Sequence, residues 1–312
     1  MTSTMDFVHS HLVEPEEVSK VCATGLPVRR SRYKNLSDEA LADFHQKWEE
    51  AVGYSFYGGS SHSGSIALFF PPECKPDRIK PYTRLIEYFF ARDDMVTAST
   101  AGKTRREMPE NTAGGVSSPR DKGDMSKVKQ IQSEIFRELI EVDRLRGTLL
   151  LDSLKKFDKI HDTRSVEDFQ SWDAYLDYRC QDMGIGFNLT IIIYCCGLDL
   201  TQSDIEMLMP VWWPAAAASA LTNDVYSFNR EACLEVPSNT NMANAVWYLM
   251  KQVGLPVSRA KQLLLEEKIR PLEKQYKENM DAYLSNSSGN RLMTPDVKVF
   301  LDMVGLGLSG NW

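Results

Sequence analysis

Apolar residues recur at helical spacing along the chain, with no sustained period-two alternation. After an irregular segment over residues 1–35, a first helix is expected from Ser37 to about Val52. Ser37 reads as its cap, with Glu39 one position early for a full capping box. The Gly-Gly-Ser-Ser-His-Ser-Gly run at 58–64 predicts a flexible link, and Ile66 to Phe70 a short apolar helix stopped by Pro71-Pro72. A long helix capped by Asp77 then carries Tyr82, Leu85, Ile86, Phe89 and Phe90 and ends at Asp93-Asp94. Residues 101–123, rich in Gly, Pro, Ser, Thr and mixed charge, predict a mobile surface loop, either a tolerated insertion or a lid. Further helices are expected near 124–160 and 166–196, from about Ser203 past Pro210 and Pro214, near 240–253 and 256–285, and from about Thr294. Asn286 to Asn290 breaks the pattern before the last of these. With no internal repeat to suggest a solenoid, the predicted fold is an all-α single domain.

Composition narrows the function classes. The chain has 312 residues, 43% of them hydrophobic, enough for a sizeable core, and its net charge of −7 supplies no clustered positive field for nucleic acid. The longest apolar run, Leu189 to Cys196, is too short to span a bilayer, and no basic-then-apolar leader opens the chain. Six cysteines without disulfide or zinc spacing, and five scattered histidines, read as thiols and imidazoles of a cytoplasmic protein.

Three polar constellations stand out against this background. Asn223, Ser227 and Glu231 recur every four positions, so on a helix they form one row of an amide, a hydroxyl and a carboxylate. An oxygen-only set of this kind suits a hard cation such as Mg²⁺, although a solvated helix face has the same composition. Upstream, Asp93 and Asp94 follow Phe89 and Phe90 on a greasy helix, where carboxylates need a cation or water. The third piece is Arg179, three positions before Asp182. Gly184 and Gly186 follow, and two glycines in a helical run point to a backbone break. Arg179 is either a structural partner of Asp182 or a planar fork for diphosphate.

Together these residues carry a resemblance. Val28-Arg-Arg-Ser-Arg-Tyr33, the Asp93-Asp94 pair, Tyr178-Arg179-x-x-Asp182-x-Gly184, Asn223-Asp-x-x-Ser227-x-x-x-Glu231, Asn244-Ala-Val-Trp247 and Ser309-Gly-Asn-Trp312 resemble the amino-terminal cyclase half of the fungal chimeric class I terpene synthases, the fusicoccadiene synthase group. The resemblance runs over nearly the whole chain, so residues 1–312 are expected to form one class I terpene cyclase domain, a helical bundle around a central apolar cavity. It implies three Mg²⁺ ions, held by Asp93 and Asp94 from one side and by Asn223, Ser227 and Glu231 from the other. It also implies that Arg179 senses diphosphate, linked through Asp182 to a backbone carbonyl near Met183 and Gly184, and that Arg230 contacts the same group. Two departures accompany it: Thr97 stands where an acid is usual, and the carboxy-terminal diphosphate clamp of relatives would lie beyond Trp312.

The implied reaction is Mg²⁺-dependent ionisation and cyclisation of a linear polyprenyl diphosphate, with release of diphosphate. Phe89, Phe90 and Phe187 are candidates to stabilise the cation through their ring faces. Ala216, one of a run of small residues below Asn223, leaves room for a C20 or C25 chain, geranylgeranyl or geranylfarnesyl. A prenyltransferase domain in a longer parent would supply that substrate; no nucleic-acid partner and no membrane span are expected. The reading from a different class is an isoprenoid-diphosphate-binding module that keeps the fold without turnover.

Overall fold

The computed structural model describes residues 7–14, 16–18, 24–56, 60–61, 64–106, 124–157, 166–234, 242–285 and 294–309. In chain order its helices are α1 (Lys34–Val52), α2 (Pro76–Arg106), α3 (Met125–Val142), α4 (Arg144–Phe157), α5 (Trp172–Asp182), α6 (Ile185–Cys196), α7 (Gln202–Met207), α8 (Met209–Leu234), α9 (Ala245–Gln252), α10 (Val257–Leu263), α11 (Arg270–Ser285) and α12 (Pro295–Ser309). Six π-helical residues, Leu264–Ile269, join α10 to α11. The expected all-α bundle is what forms.

Several expected boundaries move, each for a local reason. The amino-terminal segment is not wholly irregular, because Ser10–Leu12 pairs antiparallel with Arg29–Ser31. Likewise, Ser60–Ser61 pairs with Gly64–Ser65 where a flexible link was expected. Ser37 does not cap α1. Tyr33 precedes the helix without a side-chain cap, and Ser37 lies buried inside it, accepting a hydrogen bond from Thr83 Oγ1 at 3.2 Å. The apolar helix after Gly64 shortens to a 3₁₀ turn at Ile66–Leu68. Helix α2 does not end at Asp93-Asp94 but runs on to Arg106, so residues 101–106 of the expected loop are helical, while 107–123 lie outside the described residues. The expected break at Asn286 to Asn290 also lies outside them. The helices expected near 124–160, 166–196 and from Ser203 each divide in two, at Asp143, at Met183–Gly184 and at Leu208.

Three apolar clusters hold the bundle. One lies among α1, α2, α3, α4 and α6; a second among α5, α8, α9 and the α10–α11 arm; a third among α6, α7, α8, α11 and α12. Helix α6 serves two of them because it is apolar all round, as a fully enclosed helix must be. In α8, Pro214 has no N–H for the Pro210 carbonyl four residues back. Asn279 Nδ2 of α11 donates to that carbonyl at 2.8 Å, so the proline's missing bond becomes a contact between helices. At the end of α6, Arg78 donates to the Tyr194 carbonyl at 2.5 Å and to Asp143 at 2.7 Å, while Arg146 donates to the Leu198 carbonyl at 2.6 Å. Burial works against the Asp143 charge, but the Arg146 amide and the Arg78 and Arg146 guanidinium groups outweigh it and hold the carboxyl below its ordinary range.

A cavity of about 260 Å³ opens where α2, α6, α8 and α12 meet. Its wall is mainly aliphatic and aromatic, with Ile86 and Phe90 from α2, Leu189 and Ile192 from α6, and Val304 from α12. Phe70 can form part of it because Gly307 carries no side chain; a Cβ there would stand 2.6 Å from the Phe70 ring.

Candidate functional site

Polar lining of the cavity comes from Ser219 and Asn223 of α8 and from Asn188 of α6. Ala216, Ser219 and Asn223 line the cavity at i, i+3 and i+7, one face of the helix. Ala216 therefore stands where expected. Asn223, Ser227 and Glu231 share one row and are all half-buried. Ser227 Oγ is buried and has no hydrogen-bond partner among the described residues. An unsatisfied buried hydroxyl costs roughly 1–3 kcal/mol, a cost that a ligand bonded to this oxygen would remove. The residues present fit a hard divalent cation, since amide, hydroxyl and carboxylate oxygens are the donors such an ion selects. Among the described residues no three His, Cys, Asp or Glu side chains cluster for a metal; the row qualifies through its Asn and Ser.

Facing the row is Arg179, buried near the end of α5. Its Nη1 donates to Asp182 Oδ2 at 2.6 Å, its Nε and Nη2 to Asp224 Oδ1 at 2.9 and 2.6 Å, and Nη2 reaches Asn223 Oδ1 at 3.4 Å. Burial opposes the charge on Arg179, but the Asp224 and Asp182 carboxylates outweigh it and raise its pKa above the ordinary value. Burial pushes the Asp224 carboxyl up to about 6, against the pull of Arg179 and the Ala245 amide. Arg179 thus pairs with Asp182, the first of its two alternatives, and it also reaches Asn223 of the row.

The break after Arg179 falls at Met183–Gly184. Gly184 opens α6 in the left-handed region, φ 70°, and a Cβ on it would stand 2.9 Å from the Phe157 ring. Met183 and Ile185, on either side of Gly184, line the cavity, so the kink lies beside its wall. Asn188 Nδ2 donates to the Met183 carbonyl at 3.4 Å.

The aromatic candidates separate. Phe90 lines the cavity and is 37% exposed. Phe89 and Phe187 do not line it; they pack edge to face, centroids 5.3 Å apart, with Phe187 stacked on Phe157. Residues 89 and 90 point about 100° apart on a helix, and it is Phe90 that faces the hollow. Positions 93 and 94 of α2 follow Phe90 by three and four residues, one turn further along the same side. The side chains of Asp93, Asp94, Thr97 and Arg230 lie outside the described residues.

Two residues absent from the expected site organise it. Asp224 is fully buried; besides Arg179 it accepts the Ala245 amide on Oδ2 at 2.7 Å. Asn244, also fully buried, donates through Nδ2 to Glu231 Oε2 at 2.9 Å and to the Asp224 carbonyl at 3.1 Å. A signal for Asp224 was present in the sequence: Ala220, Leu221, Val225 and Phe228 put it on the core face of α8, where an acid needs a cation. For Asn244 there was only the capping preference of Asn before an apolar helix.

A family model described as terpene synthase family 2, C-terminal metal binding, matches residues 84–270, which include the α2 acids, Arg179 and the α8 row. The bifunctional sesterterpene synthase astC of Talaromyces wortmannii is 30% identical over 99% of this chain and 42% of its own length. Variediene synthase of Emericella variicolor is 28% identical over 100% and 45%, and fusicoccadiene synthase of Phomopsis amygdali 26% over 98% and 44%. The chain spans less than half the length of these curated relatives. In fold it is similar to aristolochene synthase from Penicillium roqueforti, with a TM-score of 0.63 at 17% identity over 90% of this chain and 93% of that one. It is also similar to germacradien-4-ol synthase from Streptomyces citricolor, with a TM-score of 0.60 at 14% identity over 92% and 97%.

Proposed function

The chain belongs to terpene synthase family 2, and from that premise we propose that it ionises and cyclises a linear C20 or C25 polyprenyl diphosphate in a Mg²⁺-dependent reaction that releases diphosphate. The observation that carries this reading is the α8 row itself: Asn223 lines the apolar cavity, and Ser227 Oγ, one turn on toward Glu231, is buried with no partner among the described residues. Asn223, Ser227 and Glu231 would hold metal from α8, and Asp93 with Asp94 from α2; three ions belong to the same proposal, as the family resemblance implies. Bound there, Mg²⁺ supplies Lewis-acid neutralisation of the leaving diphosphate.

The chain's own residues do the rest. Asp182 and Asp224 fix the plane of the Arg179 guanidinium, so its donors are oriented before the leaving group gains charge. Arg230, next to Glu231, joins it at the diphosphate. As the allylic carbon–oxygen bond breaks, its electron pair leaves with diphosphate and the hydrocarbon keeps the positive charge. The aliphatic wall excludes water that would quench that cation. The Phe90 face offers cation–π attraction of roughly 1–2 kcal/mol. Ring closure passes the charge along the chain until a proton is lost and a polycyclic hydrocarbon remains. A prenyltransferase domain that assembles the C20 or C25 chain belongs to the same proposal.

Incubation with C15, C20 and C25 diphosphates and Mg²⁺, with diphosphate and hydrocarbon measured together, is the test. Hydrocarbon with Mg²⁺-dependent release is expected from C20 or C25 diphosphate, and its loss in Ser227→Ala, whose fold is expected intact because Oγ bonds to no described residue. Binding of all three substrates with no release from any would overturn the reading.

A further inference from the structure

Asn244 sits where three things meet: the first turn of α9, the main chain of α8, and the Glu231 carboxylate. Its Oδ1 accepts the Val246 amide at 2.9 Å and so caps α9. That bond fixes which way the side-chain amide faces. With Oδ1 turned to Val246, Nδ2 must point toward α8, where it donates to both Glu231 Oε2 and the Asp224 carbonyl. Glu231 therefore meets a donor held by a helix cap, in a buried place where that donor cannot turn away. Asp224, whose carbonyl takes the second bond, anchors Ala245 with one carboxylate oxygen and Arg179 with the other. The first turn of α9 thus links the cationic side of the site to the far end of the oxygen row.

We propose that Asn244 is a positioning residue: it holds one Glu231 oxygen so that the carboxylate stays in register with Asn223 and Ser227 for a divalent cation. The inference rests on the metal-dependent reading above. Groups that orient a metal ligand from behind are worth about 10- to 100-fold in metal affinity, so the effect belongs to the metal response rather than to the fold.

The probe is Mg²⁺ together with inorganic diphosphate, read as the rise in melting temperature of the intact chain across a Mg²⁺ titration. Asn244→Ser keeps an oxygen able to cap α9 but carries no second polar atom for Glu231. It is expected to raise the half-maximal Mg²⁺ concentration at least about 10-fold. Asn244→Ala is expected to lower the melting temperature further without adding to the Mg²⁺ requirement, since it removes only the cap as well. If Asn244→Ser does not fold, Asn244→Asp keeps size and cap and turns an oxygen toward Glu231. It is expected to lose the metal response, and a wild-type response from it overturns the inference. An unchanged half-maximal Mg²⁺ concentration in Asn244→Ser does the same and leaves Asn244 a cap alone. A wild-type chain indifferent to Mg²⁺ and diphosphate overturns the parent reading as well, which separates the two failures.

Discussion

Replacing Asp224 by Asn removes one charge and moves no heavy atom by necessity, so its cost comes from the pairing. In the native chain Asp224 Oδ1 takes two donors from Arg179 and Oδ2 takes the Ala245 amide. An asparagine can satisfy only one side. With its oxygen toward Arg179, its NH₂ meets the Ala245 N–H donor to donor, a loss of about 1–3 kcal/mol. With its oxygen toward Ala245, its NH₂ meets the guanidinium. In either orientation Asp182, whose side chain is 32% exposed, is the one carboxylate left to the buried Arg179 cation among the described residues. Breaking a buried pair by removing one partner costs roughly 3–5 kcal/mol, and the remaining Asp182 bond argues for about 4 rather than more. Urea unfolding of Asp224→Asn, Arg179→Met and the double variant measures this. The double variant is expected to fall short of the sum of the singles by at least about 2 kcal/mol, because each single leaves an uncompensated buried charge of the pair and the double leaves no charge of that pair. Additivity within about 0.5 kcal/mol, or a loss below about 1 kcal/mol in Asp224→Asn, refutes the reasoning.

Ala216→Trp fills the cavity beneath Asn223 and is expected to shorten the accepted prenyl chain or abolish turnover; an unchanged product from C20 diphosphate counts against the assignment. Gly184→Ala places a Cβ in the left-handed region 2.9 Å from the Phe157 ring; a loss of about 2 kcal/mol is expected by denaturant unfolding, and wild-type stability would show that the kink relaxes freely. Asp143 has a folded pKa below its ordinary 3.8, so its contribution is fully present above pH 4 or so and fades as pH falls through the folded value. Asp143→Asn is therefore expected to cost about 2 kcal/mol at pH 7 and progressively less below about pH 4; a difference that stays constant across that range speaks against ionic pairing by Arg78 and Arg146.

The α8 row was legible because its three members lie on one helix, where a spacing of four fixes which side chains align. The Arg179–Asp182 pair and the break at Gly184 were legible for the same reason, being three and five positions apart on one stretch. Helix limits were not. Asp93-Asp94 resembled a helix end because a carboxylate pair breaks the apolar pattern, yet nothing there prevents α2 from continuing. Ser37 resembled a cap because Ser favours that position, yet packing against Thr83 put it inside the helix. Likewise, Phe89 and Phe90 are chemically equal in the sequence, and only the side on which α6 approaches α2 decides which ring meets the cavity.

By itself, then, the sequence determined the helical class, the oxygen row, the arginine with its neighbouring acid, and the small residues beneath Asn223, all set by periodicity within a few turns of chain. Tertiary structure decided that Asp224 rather than Asp182 alone holds Arg179, that Asn244 reaches Glu231, and that Phe90 rather than Phe187 faces the hollow. These are contacts between helices, with partners 45 residues apart for Arg179 and Asp224 and 13 for Glu231 and Asn244. Helical spacing orders side chains only within one element; which buried polar group satisfies which other is settled when the helices pack.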